Sequence, residues 1–245
     1  MKQAISESRL HQEGKLWLFD KNYISEFVYG GIDGAITTFA VVAGAAGANA
    51  DLYWVLIFGF ANLIADGFSM SVGNFFSVKA ERDNFEKHKA IEYWEIENLR
   101  NREVQEIRDI YAAKGFKGEL LEQVVAVITA DKDVWVDTMM KEELEMTKDD
   151  KTPYKTAGAT FLSFNLVGVI PLLSYVMAVF VDIDKDKLFL TSCIATGLAL
   201  VIVGYLKSIV TQKRVSVGIL ETLALGGLAA FLAYYVGVVL AAYFL

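Results

Sequence analysis

The stretch Tyr53–Ala90, YWVLIFGFANLIADGFSMSVGNFFSVKAERDNFEKHKA, changes solvent part-way along its length. From Tyr53 to Val78 it carries one charged residue, Asp66, in 26 positions. That is enough helix to cross about 30 Å of hydrocarbon. From Lys79 the charges come almost every other residue, yet no Pro or Gly intervenes until Gly115. The pattern predicts a membrane-crossing helix that continues into water.

Charge is distributed to match. Lys79–Lys155 holds 14 Lys and Arg and 19 Asp and Glu, 33 of the chain's 53 charged residues. The remainder contains four more stretches near the length of a span: Ile24–Ala48, joined to the second by the turn Asn49–Asp51, and then Thr156–Val181, Leu188–Val210 and Ser216–Leu245. The expected fold is therefore all-α, a polytopic membrane protein of five transmembrane helices with a cytoplasmic insert. Its divisions are a tail at 1–23, spans one and two at 24–78, the insert at 79–155 and spans three to five at 156–245. The mean hydropathy of +0.37 averages these two materials.

Several classes are excluded at once. A net charge of −7 opposes nucleic-acid binding, and the single Cys193 can form no internal disulfide. The polar N-terminus, MKQAISESRLHQEGKLW, has no apolar core of a cleavable signal. No Ser-His-Asp, Cys-His or phosphate-cradling Gly pattern suggests a membrane hydrolase, so no enzyme is expected. Counted by Lys and Arg, the tail, insert and last short loop carry 21 against two, Lys185 and Lys187, on the other side. The positive-inside rule then puts the N-terminus in the cytoplasm and the C-terminus outside.

Acids inside the spans are costly, at least about 2.5 kcal/mol each at the bilayer centre. Asp33 stands in YGGIDGAITTFAVVAG, Asp66 in FANLIADGFSMSVGN and Glu221 in GILETLALGG. Gly30, Gly31 and Gly34 around Asp33 open the backbone to close packing or local unwinding. Asn62, Asp66 and Met70 recur at i, i+4 and i+8, aligning amide, carboxylate and thioether along one stripe. Oxygen donors alone suit Mg²⁺ or Ca²⁺, whereas an added thioether suits softer first-row metals. Each acid also has a plain structural reading, as a protonated side chain or one near the interface.

In the insert, Glu92, Glu95, Glu103 and Glu106 fall within about 80° of one helical face, spread over about 21 Å of axis if Lys79–Ala113 is one helix. Leu99 and Ile110 share that face, which argues that it packs. Four like charges on one stripe repel unless a cation is shared. Two shorter helices are expected at Glu119–Thr129 and Asp133–Met146. On the second, Met139, Glu143 and Met146 lie at i, i+4 and i+7 and could complete a cluster rich in oxygen with some sulfur. That donor set points to Fe²⁺, Mn²⁺ or Co²⁺ rather than structural zinc. The Glu-x-x-His pairs of di-iron chemistry are absent. His88 reads as a surface residue or one supporting a ligand.

The sequence resembles the vacuolar iron transporter family, in a bacterial-type form, over nearly its whole length. The resemblance is carried by YGGIDGAITTFAVVAGAAGA, SMSVGNFFSVKAE, EYWEIENLRNREVQEIRDIYAAKGF and WVDTMMKEEL. The Pro153 start of the third span and LETLALGGLAAFLAYYVG add to it. It implies five transmembrane helices, a cytoplasmic three-helix metal-binding domain, a homodimer, and export of Fe²⁺ and often Mn²⁺ from the cytosol in exchange for protons. It implies no prosthetic group. By position it makes Asp33 and Met70 the translocation residues, and Glu92, Glu95, Glu103, Glu106, Met139 and Glu143 the ligands of the insert. Two departures stand out. Asn62 replaces a glutamate common in the family, with Asp66 one turn later, and Glu221 replaces an uncharged polar residue.

The leading expectation is a proton-coupled divalent-metal exporter in a bacterial inner membrane. Asp33, Asp66 and Glu221 are its candidate proton carriers. Two rivals use the same residues: a membrane-anchored metal sensor or buffer that transports nothing, and a Ca²⁺ or Mg²⁺ pathway.

Overall fold

The computed structural model describes residues 23–181 and 183–244, with only the backbone at 185 and 186. Apart from Tyr23, the cytoplasmic tail expected at 1–23 lies outside the described residues. Every regular element among the described residues is helical. They are α1 (Ile24–Gly47), α2 (Leu52–Asn98), α3 (Arg100–Ala113), α4 (Gly118–Ala130), α5 (Lys132–Glu142) and α6 (Pro153–Gly168). A 3₁₀ turn at Ile170–Leu172 then leads to α7 (Leu173–Ala178), α8 (Lys185–Thr211) and α9 (Val215–Phe244). Five stretches are long and apolar enough to cross a bilayer: Ile24–Gly47, Leu52–Asn98, Pro153–Ala178, Lys187–Thr211 and Val215–Phe244. The chain is an all-helical, multi-pass membrane protein.

It divides into two units, one of residues through Phe75 and from Pro153, the other of Phe76–Thr152. The helix α2 contributes its first part to one and its second part to the other.

In the membrane unit α1 is the central helix, packed against α6, α8 and α9. Small residues make this possible, since lipid gives helices no hydrophobic reason to associate and close backbone approach must supply the contact. A Cβ at Gly34 would overlap the carbonyl oxygen of Phe164, and one at Gly47 the carbonyl oxygen of Tyr234. The glycines flanking Asp33 therefore serve packing. α1 runs unbroken through them, without the local unwinding that the sequence also allowed. The third span is interrupted instead, where Pro171 enters the 3₁₀ turn. There Ser192 Oγ of α8 donates to the Pro171 carbonyl at 2.7 Å, which satisfies a polar group that lipid could not.

The other unit has its own core of Ile96, Ile107, Leu121, Val125, Ile128, Trp135, Val136, Met139 and Met140. Trp135 is fully buried, with the Arg100 guanidinium 5.0 Å from its ring centroid. Positive φ at Gly115 (101°) and Gly118 (57°) turns the chain between α3 and α4, a conformation that L side chains resist. Asp131 caps α5, its side chain accepting from the amides of Asp133 and Val134.

The expected three helices of the insert become four helical segments. Leu99 leaves helical geometry (φ −123°, ψ 26°) and splits the first helix into the end of α2 and α3. Nothing in the local sequence demands this break. It brings Ile96 and Ile107, from either side of it, into one core. Leu99 itself is exposed, contrary to its place on the packed face. The last helix ends at Glu142 rather than Met146.

Candidate metal centre

Glu92 and Glu103 are eleven residues apart, about 16 Å along a straight helix. Their carboxylate oxygens and that of Glu95 nevertheless lie within 4.8 Å of one another. The break at Leu99 is what permits this. A stripe that would have spread along one axis is folded into a cluster, with Glu92 and Glu95 on α2 facing Glu103 on α3.

Glu92 and Glu103 are 3% and 1% exposed, and in each the Oε2 atom is buried without a hydrogen-bond partner. Unpartnered buried carboxylate is expensive. Burial first, and then the charges of Glu143, Glu95, Glu103 and Glu106, push Glu92 up to about 7. Glu103 is likewise pushed up to about 7 by burial, followed by Glu106, Glu95 and Glu143. Glu143, at the end of α5, is raised by desolvation ahead of Glu106 and Glu95. Glu95, Glu106 and Glu143 thus all bear on the two buried acids. A divalent cation among them would replace mutual repulsion with attraction and give the orphaned oxygens a partner.

Met139 is also fully buried, among Ile96, Ile107, Trp135 and Met140 in the apolar core. Met146 lies past the end of α5, partly buried against that core. His88 is half-buried on α2. The sequence reading passed over Arg102, whose Nε donates to Glu106 Oε1 at 3.0 Å. The available signal was the i, i+4 spacing of the two residues, with Arg102 just off the edge of the glutamate stripe.

In the membrane unit Asp33, Asn62, Asp66 and Met70 are all half-buried. Asp33 on α1 and Asp66 on α2 lie within electrostatic reach of each other, so the two spans present their acids to a common region. Thr37 Oγ1 donates to the Asp33 backbone carbonyl at 2.8 Å. Asn74 extends the Asn62–Asp66–Met70 stripe by one more turn, and its Nδ2 donates to Thr160 Oγ1 of α6 at 2.8 Å. Glu221 is placed differently. It is exposed on α9 and held by Lys207 of α8, with Nζ to Oε2 at 2.7 Å.

Comparison with known proteins bears on this arrangement of acids. A vacuolar iron transporter of Toxoplasma gondii is 35% identical over 223 residues, 88% of this chain and 74% of that protein. One of Plasmodium falciparum is 35% identical over 237 residues, 94% of this chain and 87% of its own. Vacuolar iron transporter 2 of Oryza sativa is 31% identical over 212 residues, covering 86% and 85%. Residues 24–238, which contain both groups of acids, match the VIT family. The chain belongs to the VIT family, a family of transporters and not of enzymes.

Proposed function

We propose that this protein carries divalent metal, Fe²⁺ foremost and Mn²⁺ with it, out of the cytosol in exchange for protons. The observation that carries the reading is the convergence of the Glu92, Glu95 and Glu103 oxygens within 4.8 Å, with two buried oxygens left unpartnered. Glu106 and Glu143 add charge to the same cluster. Its task is to collect ions from a dilute cytosolic pool. The names of the relatives, vacuolar iron transporters, support iron as the cargo.

Asp33, Asp66 and Met70 form the translocation path. A carboxylate in the membrane binds a proton when no cation is near and releases it to a metal ion, which is the elementary step of exchange. Asp33 and Asp66 suit this because each is the other's charged neighbour. Glu221 suits it less well, since Lys207 already holds it. The path residues remain partly exposed in a single chain, so a two-fold homodimer is the arrangement that would close them around an ion. The N-terminus is cytoplasmic and the C-terminus external, in the inner membrane of a bacterium.

A harder ion is the second reading. The donors of Glu92, Glu95 and Glu103 are carboxylate oxygens, and Met139 packs in the apolar core. That suits Mn²⁺, and it also suits Mg²⁺ or Ca²⁺. Uptake of Fe²⁺, Mn²⁺, Mg²⁺ and Ca²⁺ into proteoliposomes, with and without a pH gradient, tests both readings. Fe²⁺ and Mn²⁺ uptake should depend on the gradient and vanish in Asp33→Asn. Undiminished flux in that variant removes Asp33 from the path, and preferential Ca²⁺ or Mg²⁺ flux establishes the hard-ion reading instead.

A further inference from the structure

The carboxylate cluster is not left without a cation of its own. Arg102 Nε donates to Glu106 Oε1 at 3.0 Å, and the guanidinium lies within electrostatic reach of Glu95 and Glu103 as well. It also acts on Glu143. Its side chain is 68% exposed while that of Glu106 is 26% exposed, so the guanidinium sits on the solvent side of a more enclosed acid. Four other basic side chains of this unit are paired elsewhere. Lys89 pairs with Asp137, Arg108 with Glu122, Lys114 with Glu142 and Lys132 with Glu97. None of those acids belongs to the cluster.

We propose that Arg102 is a displaceable counter-cation of the carboxylate cluster, holding Glu106 until a divalent ion takes its place and so setting how tightly that ion is bound. This deepens the metal-collecting reading and rests on it. Three features support it. The cluster has a reason to attract a cation, in the buried, unpartnered oxygens of Glu92 and Glu103. Arg102 reaches Glu106 from the preceding turn of α3, so it can swing into solvent without disturbing the fold. A single charge also gives way to a double charge among several carboxylates. A monovalent ion would gain no comparable advantage over the guanidinium, so the residue biases the cluster toward divalent cations. It also keeps the site weak enough to release its cargo.

The pair is exposed and therefore weak, so its removal should tighten divalent-ion binding roughly fivefold at most. The test is Mn²⁺ binding to the full chain in detergent at neutral pH and low salt. The cluster's share is taken as the component lost in Glu103→Gln. Arg102→Gln should bind Mn²⁺ several-fold more tightly and give up part of its preference over K⁺. Arg102→Lys should stay close to the unchanged chain, and Arg108→Gln, which frees Glu122 outside the cluster, should not tighten binding. If the unchanged chain binds Mn²⁺ and Arg102→Gln binds it no more tightly, the counter-cation role is overturned while the collecting role stands. Equal tightening by Arg108→Gln also overturns it, because net charge alone would then account for the effect. If the unchanged chain shows no component that Glu103→Gln removes, both readings fall.

Discussion

Loading the cluster should release protons, chiefly from Glu92 and Glu103. Both are held at about 7, against an ordinary 4.5. A metal ion takes the deprotonated form. At pH 7 each group is about half protonated, so the pair should release about one proton per ion. At pH 6 the release should approach two, and at pH 8 it should fall to about 0.2. Apparent affinity should rise on the order of a hundredfold from pH 6 to pH 8, with coupling between the two groups spreading the change over a wider range. The sign for stability is the reverse. A carboxylate raised from 4.5 to about 7 favours the folded, ion-free insert below 4.5, and that advantage is lost as pH rises through 7. The loss is on the order of 3 kcal/mol for one such group. Calorimetric titration of the full chain with Mn²⁺, in two buffers of different ionisation enthalpy, counts the protons directly. The cluster's share is the part that disappears in Glu103→Gln. A pH-independent affinity with no proton release between pH 6 and pH 7 would refute the idea that buried, mutually repelling carboxylates make up the site.

Two further outcomes follow from packing. Gly34→Ala places a methyl group against the Phe164 carbonyl, so α1 and α6 must separate. The expected cost is about 1–3 kcal/mol, read as a lower unfolding temperature in detergent, and an unchanged temperature would mean that this close approach is not needed. Trp135→Ala empties the centre of the insert core, at about 3–5 kcal/mol. Hydrogen exchange should accelerate at the amides of Ile96 and Ile107, while those of the α1–α6 contact stay protected. Uniform acceleration across both units would argue against separate cores.

Much of the architecture was legible because its cause is local. Five apolar stretches and one charged stretch need no knowledge of neighbours, since the bilayer acts on each span by length and composition. Asp33 and Asp66 could be singled out because a charge in hydrocarbon needs a reason, and Met70 because it aligns with Asn62 and Asp66 along one helical stripe. The family resemblance and the residues 24–238 that match the VIT family agree on the chain's kinship.

What the sequence could not convey is the fold of the insert. Glu92, Glu95, Glu103 and Glu106 were found as a stripe on one continuous helix, the natural reading of a segment without Pro or Gly. Only tertiary packing, which draws Ile96 and Ile107 into one core around Trp135, breaks that helix at Leu99 and converts the stripe into a cluster. The fate of Asp33's glycines and of Glu221 was decided in the same way. The glycines bring α1 against α6, and Glu221 finds Lys207 on a neighbouring helix. The amino-acid sequence by itself determined which segments meet lipid and which residue types could bind a cation, because hydropathy and ligand chemistry belong to single residues. The tertiary structure decided which carboxylates share a site, which are neutralised by a partner and which are left bare, because those properties belong to distances.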